Sequence, residues 1–398
     1  MSTPETMAVC PSCGQPTDSG DAFCESCGME LAPAVVSTGT PGFVPSCPVC
    51  SVDPSVPQPA EVTPDGYCES CGRKVPTGRD HSELDLGLLA GVTDRGRRHP
   101  RNEDAMALAT AETPAGPVAI AVVCDGVSSS PRPDDASLAG AQAGVRVLLQ
   151  AARVGEDPRE ASLAAVRAAA AELAGLAGPG GAPSATYVSV VVGPAPAANP
   201  SPSGEVAADT VTADAVPAGG SPSAEDTAIL SAGAGPGAGS GASVSTSPTP
   251  VLTTGDAVTL CWLGDSRAYW LAADGAERLT TDDSLAQEMV ASGLLDETEA
   301  MATPQAHVIT RWLGADITEP RAHVSRFEPP GPGVVLICTD GLWNYLPEAA
   351  GLAGRAMPAA ATDPLGMAGE LVEFALEAGG MDNITVVLVP FPLRSTPA

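Results

Sequence analysis

Residues 118–126 read VAIAVVCDG, seven apolar residues running into an acid and a glycine. Such a run predicts a short buried strand, here ending on a carboxylate, Asp125. The cadence returns at 186-TYVSVVVG, 257-AVTLCWLGD and 333-GVVLICTDG. Between these runs, 136-ASLAGAQAGVRVLLQAAR and 158-PREASLAAVRAAAAELAGLAG carry small apolar residues at three- and four-residue spacing, the helical period. A third such stretch, 366-GMAGELVEFALEAGG, closes on the glycine pair expected past a helix end. From Leu84 onward the alternation predicts one globular domain of mixed α and β structure.

Working outward from Asp125, the same kind of acid closes other strand-like runs: Asp265 in CWLGDSRAY, Asp340 in ICTDG and Asp382 in GGMDNITVVLV. One DG pair is explained by a turn, but four acids together with 102-NED are not. A buried, unpaired carboxylate is strongly unfavourable, so acids repeated at strand ends imply a compensating cation. Oxygen ligands of this kind select hard ions such as Mg or Mn over zinc.

The 398 residues carry a formal net charge of -29, which argues against a nucleic-acid partner because that affinity depends on Lys and Arg neutralising phosphates. Aromatics are 3% of residues against an apolar total of 44%, so the core is expected to consist mainly of Ala, Val and Leu. No stretch approaches the roughly 20 apolar residues that span a bilayer, and the N-terminus lacks a signal-peptide pattern. A cytoplasmic protein with no membrane association is expected.

Eight of the eleven cysteines lie in C-x-x-C pairs before residue 72. Cys10, Cys13, Cys24 and Cys27 form one set, with ten residues between its pairs; Cys47, Cys50, Cys68 and Cys71 form a second, with seventeen. Each pair puts two thiolates on a tight turn, and two turns complete a tetrahedral Cys-four zinc site with no open position for substrate. Residues 1–80 are therefore expected to form two structural zinc ribbons, at about 8–30 and 45–74. That segment holds only Arg73, Lys74 and Arg79 against ten acids, which points the ribbons toward a protein partner. Cys124, Cys261 and Cys338 sit in apolar runs and are expected to be buried. The stretch from about Pro194 to Pro250, rich in Pro, Ala, Gly, Ser and Thr, is expected to be a disordered surface insertion between two strands of one domain.

Taken in order, 93-TDRGRRHPRNEDA, 121-AVVCDG, 263-LGDSRAY, 282-DDSLAQEMVASG, 307-HVITRWLG, 339-TDGLW and 381-MDNITVV resemble the motifs of the type 2C, metal-dependent serine/threonine protein phosphatases. The resemblance runs from about Asp85 to Pro390, within a catalytic domain expected over 84–392. It implies an α+β fold, an αββα sandwich of two central antiparallel sheets flanked by helices. It also implies two Mn or Mg ions, with Asp125 bridging them, Asp340 and Asp382 on one, Glu103 near the other, and the Gly126 carbonyl as a further ligand. Asp104, beside Glu103, is a further candidate metal ligand or a hydrogen-bonding partner within the site, and Asp265 matches the acid of a third, weaker metal site in bacterial members. The implied reaction is direct attack of a metal-activated water on phosphoserine or phosphothreonine in proteins, targets of serine/threonine kinases. The alternative is a phosphatase-like interaction protein of little or no activity, whose ribbons recruit a partner.

Three positions depart from the commoner pattern. His99, flanked by Arg98 and Arg101, stands where many relatives place a phosphate-binding Arg, whose planar fork suits phosphate oxygens. Val127 stands where some eukaryotic members have a general-acid His, and Asn344 where many keep a further Asp. Residues 281–306 correspond to the flap beside the active site in this family, a segment suited to substrate choice.

Overall fold

Two six-stranded antiparallel sheets lie face to face, their strands numbered here along the chain. The first runs β14 (His323–Phe327), β10 (Asp256–Leu263), β9 (Tyr187–Pro194), β7 (Gly116–Asp125), β6 (Asp104–Thr113) and β3 (Ala34–Ser37). The second runs β12 (Gly275–Arg278), β11 (Arg267–Ala272), β15 (Gly333–Cys338), β16 (Ile384–Phe391), β5 (Ala90–Asp94) and β4 (His81–Asp85). Short pairs join β1 (Ala8–Val9) to β2 (Pro16–Thr17) and β8 (Ser184–Ala185) to β13 (Leu313–Gly314). This computed structural model describes residues 8–9, 15–17, 34–37, 47, 50, 62–63, 67–73, 75, 78–194 except 180, and 255–393 except 315, 316 and 318. Cys10, Cys13, Cys24 and Cys27, and the insertion after Pro194, lie outside the described residues.

Helices α1 (Pro133–Val154) and α2 (Pro158–Gly175) cover the first sheet, and α6 (Ala349–Ala356) and α7 (Pro364–Ala378) cover the second, giving the expected αββα sandwich. The flap contains α3 (Leu285–Ala291) and α4 (Glu297–Met301), and α5 (Asp340–Trp343) is a single turn after β15. Helix α1 begins three residues before the periodic stretch read from the sequence. Pro133 opens it and Asp134 and Asp135 fill its first turn, positions that suit a fixed φ and a negative charge. Among the described residues no helix is long and apolar enough to cross a membrane.

Sheets covered on both faces need apolar residues at every strand position, which is why these strands read as unbroken runs. Period-two geometry still sorts the side chains. In β7, Ala119, Ala121 and Val123 face the opposing sheet, while Val118, Ile120, Val122 and Cys124 face α1 and α2. In β16, Val387, Val389 and Phe391 point between the sheets and Ile384, Val386 and Leu388 toward α7. Alanines dominate the layer under α1 and α2, as composition suggests. The layer between the sheets differs: several of the few aromatics gather there, with Trp270 5.4 Å from Phe327 and 5.9 Å from Phe391. Strands β9 and β10 pair from Asp256 opposite Pro194 to Leu263 opposite Tyr187, so the runs flanking the insertion are neighbours as expected.

Candidate active site

Antiparallel pairing brings the acids to one end of the sandwich. Asp125 ends β7 directly opposite Asp104, the first residue of β6. The β15–β16 pairing sets Cys338 opposite Val386, so Asp340 and Asp382 emerge side by side just beyond the paired ends. Asp265 lies in the crossing from β10 to β11 at the same end. The two DG glycines are close-approach residues rather than turn residues. A Cβ on Gly126 would collide with the Pro133 and Glu103 carbonyls, and one on Gly341 with the Asn383 carbonyl.

The acids differ in what already holds them. Asp104 Oδ2 accepts from Thr339 and Thr385 hydroxyls, each at 2.8 Å. Burial pushes its pKa up to about 7; the threonine bonds oppose this, and the Asp382 and Glu103 charges add to it. Asp340 Oδ2 accepts from Asn344 Nδ2 at 3.2 Å, while its Oδ1, like Asp104 Oδ1, is buried without a hydrogen-bond partner. Burial, then neighbouring acids, drive Asp125 and Asp340 well above the ordinary carboxylate range. Asp265 is pushed up to about 7 by burial and then by Asp282, against which Arg267 acts.

His99 sits between two of the acids, with Nε2 3.0 Å from Asp382 Oδ1 and Nδ1 3.8 Å from Glu103 Oε2. Arg101 places Nε 3.3 Å from Glu103 Oε1 and donates from Nη1 to Asp134 Oδ1 at 3.2 Å. Arg98 is exposed. Ser128, just past the Asp125–Gly126 pair, donates to Glu103 Oε2. Asn383, not among the candidate residues of the sequence analysis, ties the loop together. Its Oδ1 accepts from Glu103 N at 2.7 Å, and its Nδ2 donates to the Arg95 and Arg101 carbonyls at 2.7 and 3.0 Å. Adjacency to Asp382 was the available signal.

An oxygen-rich cluster of acids that burial disfavours as anions, with orphaned carboxylate oxygens, fits Mg or Mn ions. Cys47, Cys50, Cys68 and Cys71 form a separate cluster. Their sulfurs all lie within 4.8 Å of one another, and among the described residues this is the only group of three or more metal-ligating side chains so close. Three of the four are buried, and Cys47 Sγ lies 3.5 Å from Cys71 Sγ, too far for a disulfide. Four thiols so placed fit tetrahedral zinc. Cys124, Cys261 and Cys338 are buried in strands, and burial pushes the Cys261 thiol up to about 12.

Residues 93–374 match the family model for protein phosphatase 2C, and residues 6–31 match a zinc-ribbon domain. A serine/threonine protein phosphatase of Mycobacterium tuberculosis is 33% identical over 140 residues, 35% of this chain and 26% of that protein. A serine/threonine phosphatase of Listeria innocua is 34% identical over 137 residues, 33% of this chain and 51% of that protein. The chain thus spans between about a quarter and a half of these curated relatives. A solved serine/threonine phosphatase from Staphylococcus aureus matches 78% of this chain and 98% of its own, with TM-score 0.53 and 17% identity. One from S. agalactiae matches 75% and 97%, with TM-score 0.51 and 20% identity. At such identities the likeness shows a shared fold.

Proposed function

The chain belongs to the protein phosphatase 2C family, and we propose that it hydrolyses phosphoserine and phosphothreonine in proteins that serine/threonine kinases modify. Asp125 and Asp340 carry this reading: two carboxylates that burial and mutual repulsion disfavour as anions, at the meeting ends of two sheets. With Asp382, Glu103 and the Gly126 carbonyl they would hold two Mn or Mg ions, and Asp265 would serve a third. Asp104, with one oxygen committed to two threonines, braces the site from beneath. Such cations supply positive charge that polarises phosphoryl oxygens and makes water a better nucleophile at neutral pH.

The chain's own residues set the geometry around that chemistry. His99 spends Nε2 on Asp382 and so orients a ligand rather than gripping phosphate. Arg101 spends Nε and Nη1 on Glu103 and Asp134, leaving Nη2 to donate to a phosphate oxygen. Arg101 is therefore the phosphate-side cation in place of the Arg that position 99 lacks, with exposed Arg98 outside it. Residues 84–392 are the catalytic domain, with the insertion at about 194–250 as its loop. The two Cys sets are structural zinc ribbons that offer a protein surface, and the protein acts in the cytoplasm.

Purified protein with excess Mn should release phosphate from a phosphothreonine peptide. Asp125→Asn and Asp340→Asn should each lower turnover by about a thousandfold or more. Near-normal turnover in either variant rejects the metal assignment. A folded wild-type protein that releases no phosphate rejects the enzyme reading in favour of a phosphatase-like binding protein.

A further inference from the structure

A short length of chain joins the second cysteine cluster to the active-site loop. Val75 is buried against Cys47, Cys50 and Cys68. Four residues later, Arg79 enters the catalytic frame with its side chain only 14% exposed. Its Nη2 donates to the Asp134 carbonyl at 2.8 Å, and its Nη1 lies 3.9 Å from the Asp134 carboxylate. The Arg79 carbonyl accepts from Asn102 Nδ2 at 3.1 Å. Beside it, the Asp80 carbonyl accepts from Arg95 N at 2.7 Å, and its carboxylate lies 3.5 Å from Arg95 Nε. Four extended residues span at most about 14 Å, so the cysteine cluster is held on a short leash to this frame.

Asp134 is where the leash meets the site. The same carboxylate that faces Arg79 accepts from Arg101, and Arg101 in turn lies against Glu103. Two guanidinium groups thus share one acid at the first turn of α1. Asp134 therefore links the contacts of Arg79 to those of Arg101. A linker that merely connected two modules would leave Arg79 in water, because an exposed pair gains little.

We propose that Arg79 is a positioning residue through which the second Cys-four module sets the placement of Arg101. With metal in the four thiols, Val75 and Arg79 are both anchored and Arg101 is held for phosphate. When the module loses its metal, the leash slackens and phosphate binding weakens. The kinetic part rests on the phosphatase reading above; the structural part does not.

The test uses the full chain with zinc and excess Mn, in the wild type, Cys71→Ser, Arg79→Ala, the double variant and Arg79→Lys. Zinc content reports the state of the module. Each of Cys71→Ser and Arg79→Ala should raise KM for a phosphothreonine peptide about five- to tenfold, the scale of one charge-assisted contact, with kcat little changed. The double variant should be no worse than the poorer single variant. Arg79→Lys should recover part of the loss, because it keeps the charge without the fork. Hydrogen exchange should quicken at residues 97–104 in both single variants while β16 stays protected. Independent losses that multiply in the double variant would overturn the proposal, as would unchanged exchange at 97–104 in Cys71→Ser. Exchange that quickens equally in β16 reduces Arg79 to a strut of the fold. If exchange responds as expected but no variant releases phosphate, the phosphatase reading fails and the coupling stands.

Discussion

At Asp104 one carboxylate oxygen accepts from two threonine hydroxyls, whereas at Asp382 one oxygen accepts from the Asn383 backbone N–H at 2.8 Å and lies 3.0 Å from the His99 ring. By sequence both are candidate metal ligands; what separates them is which partners the fold supplies. The same logic applies away from the site at His81, on edge strand β4. Its Nδ1 lies 2.8 Å from Asp94 Oδ2 and its Nε2 3.3 Å from Glu83 Oε1. Partial burial acts to lower its pKa, but the hydrogen bonds and charges of Asp94 and Glu83 outweigh this and raise it. A raised histidine pKa stabilises the fold fully below the unfolded value of about 6.5, and the gain disappears as pH rises through the folded value. Because the side chain is half exposed, solvent screening holds the gain below about 1 kcal/mol. His81→Gln should therefore lower the urea midpoint at pH 5.5 and leave it nearly unchanged at pH 9. An equal loss at both values would show that the charge of His81 contributes nothing.

The flap is fastened at the scale of whole elements. Asp282 at its entry holds Arg267 of β11 through two oxygens, with the shortest contact 2.6 Å. The Arg267 guanidinium lies 3.7 Å from the ring centroid of Trp343 in α5, and the ring of His307, at the flap's exit, stacks on the same indole at 5.7 Å. The Trp343 indole N–H donates to the Asp265 carbonyl at 2.9 Å, which ties this ladder to the turn carrying Asp340. Removing one member of a buried ion pair strands the other charge, so Arg267→Met should destabilise the protein by about 3–5 kcal/mol. Arg267→Met with Asp282→Leu should recover most of that in urea unfolding; a double variant as weak as the single would mean that packing around Trp343, not charge, governs the ladder. The motifs LGDSRAY and DDSLAQEM were legible as separate stretches, but nothing in either specifies that Arg267 reaches Asp282. Strands, helices and the acids at strand ends were legible because periodicity and residue type are local. Asn383, Thr339 and Thr385 were not, because a polar side chain in a motif discloses its partners only after distant strands have paired.

Across the molecule, both sheets are enclosed, and the chain's least strand-like stretch enters between two strands of one of them. The last β9–β10 pair sets Pro194 opposite Asp256, so residues 195–255 need only connect two backbones already in register. Their composition predicts no packed core of their own, and in that case their effect on stability is the entropy of closing a long loop. Closure cost rises by about 0.6 kcal/mol per doubling of length, so replacing residues 195–255 with a four-residue turn, close to four halvings, should stabilise the fold by about 2 kcal/mol. Hydrolysis of a phosphothreonine peptide should be retained, because the β9–β10 hairpin end lies opposite the end where Tyr187 and Leu263 lead to Thr186 and Gly264 beside the acids. Urea unfolding of the shortened and full chains measures the difference directly. A shortened protein that is less stable would show that the insertion packs against the sandwich; one that is more stable but inactive would place the insertion in substrate binding.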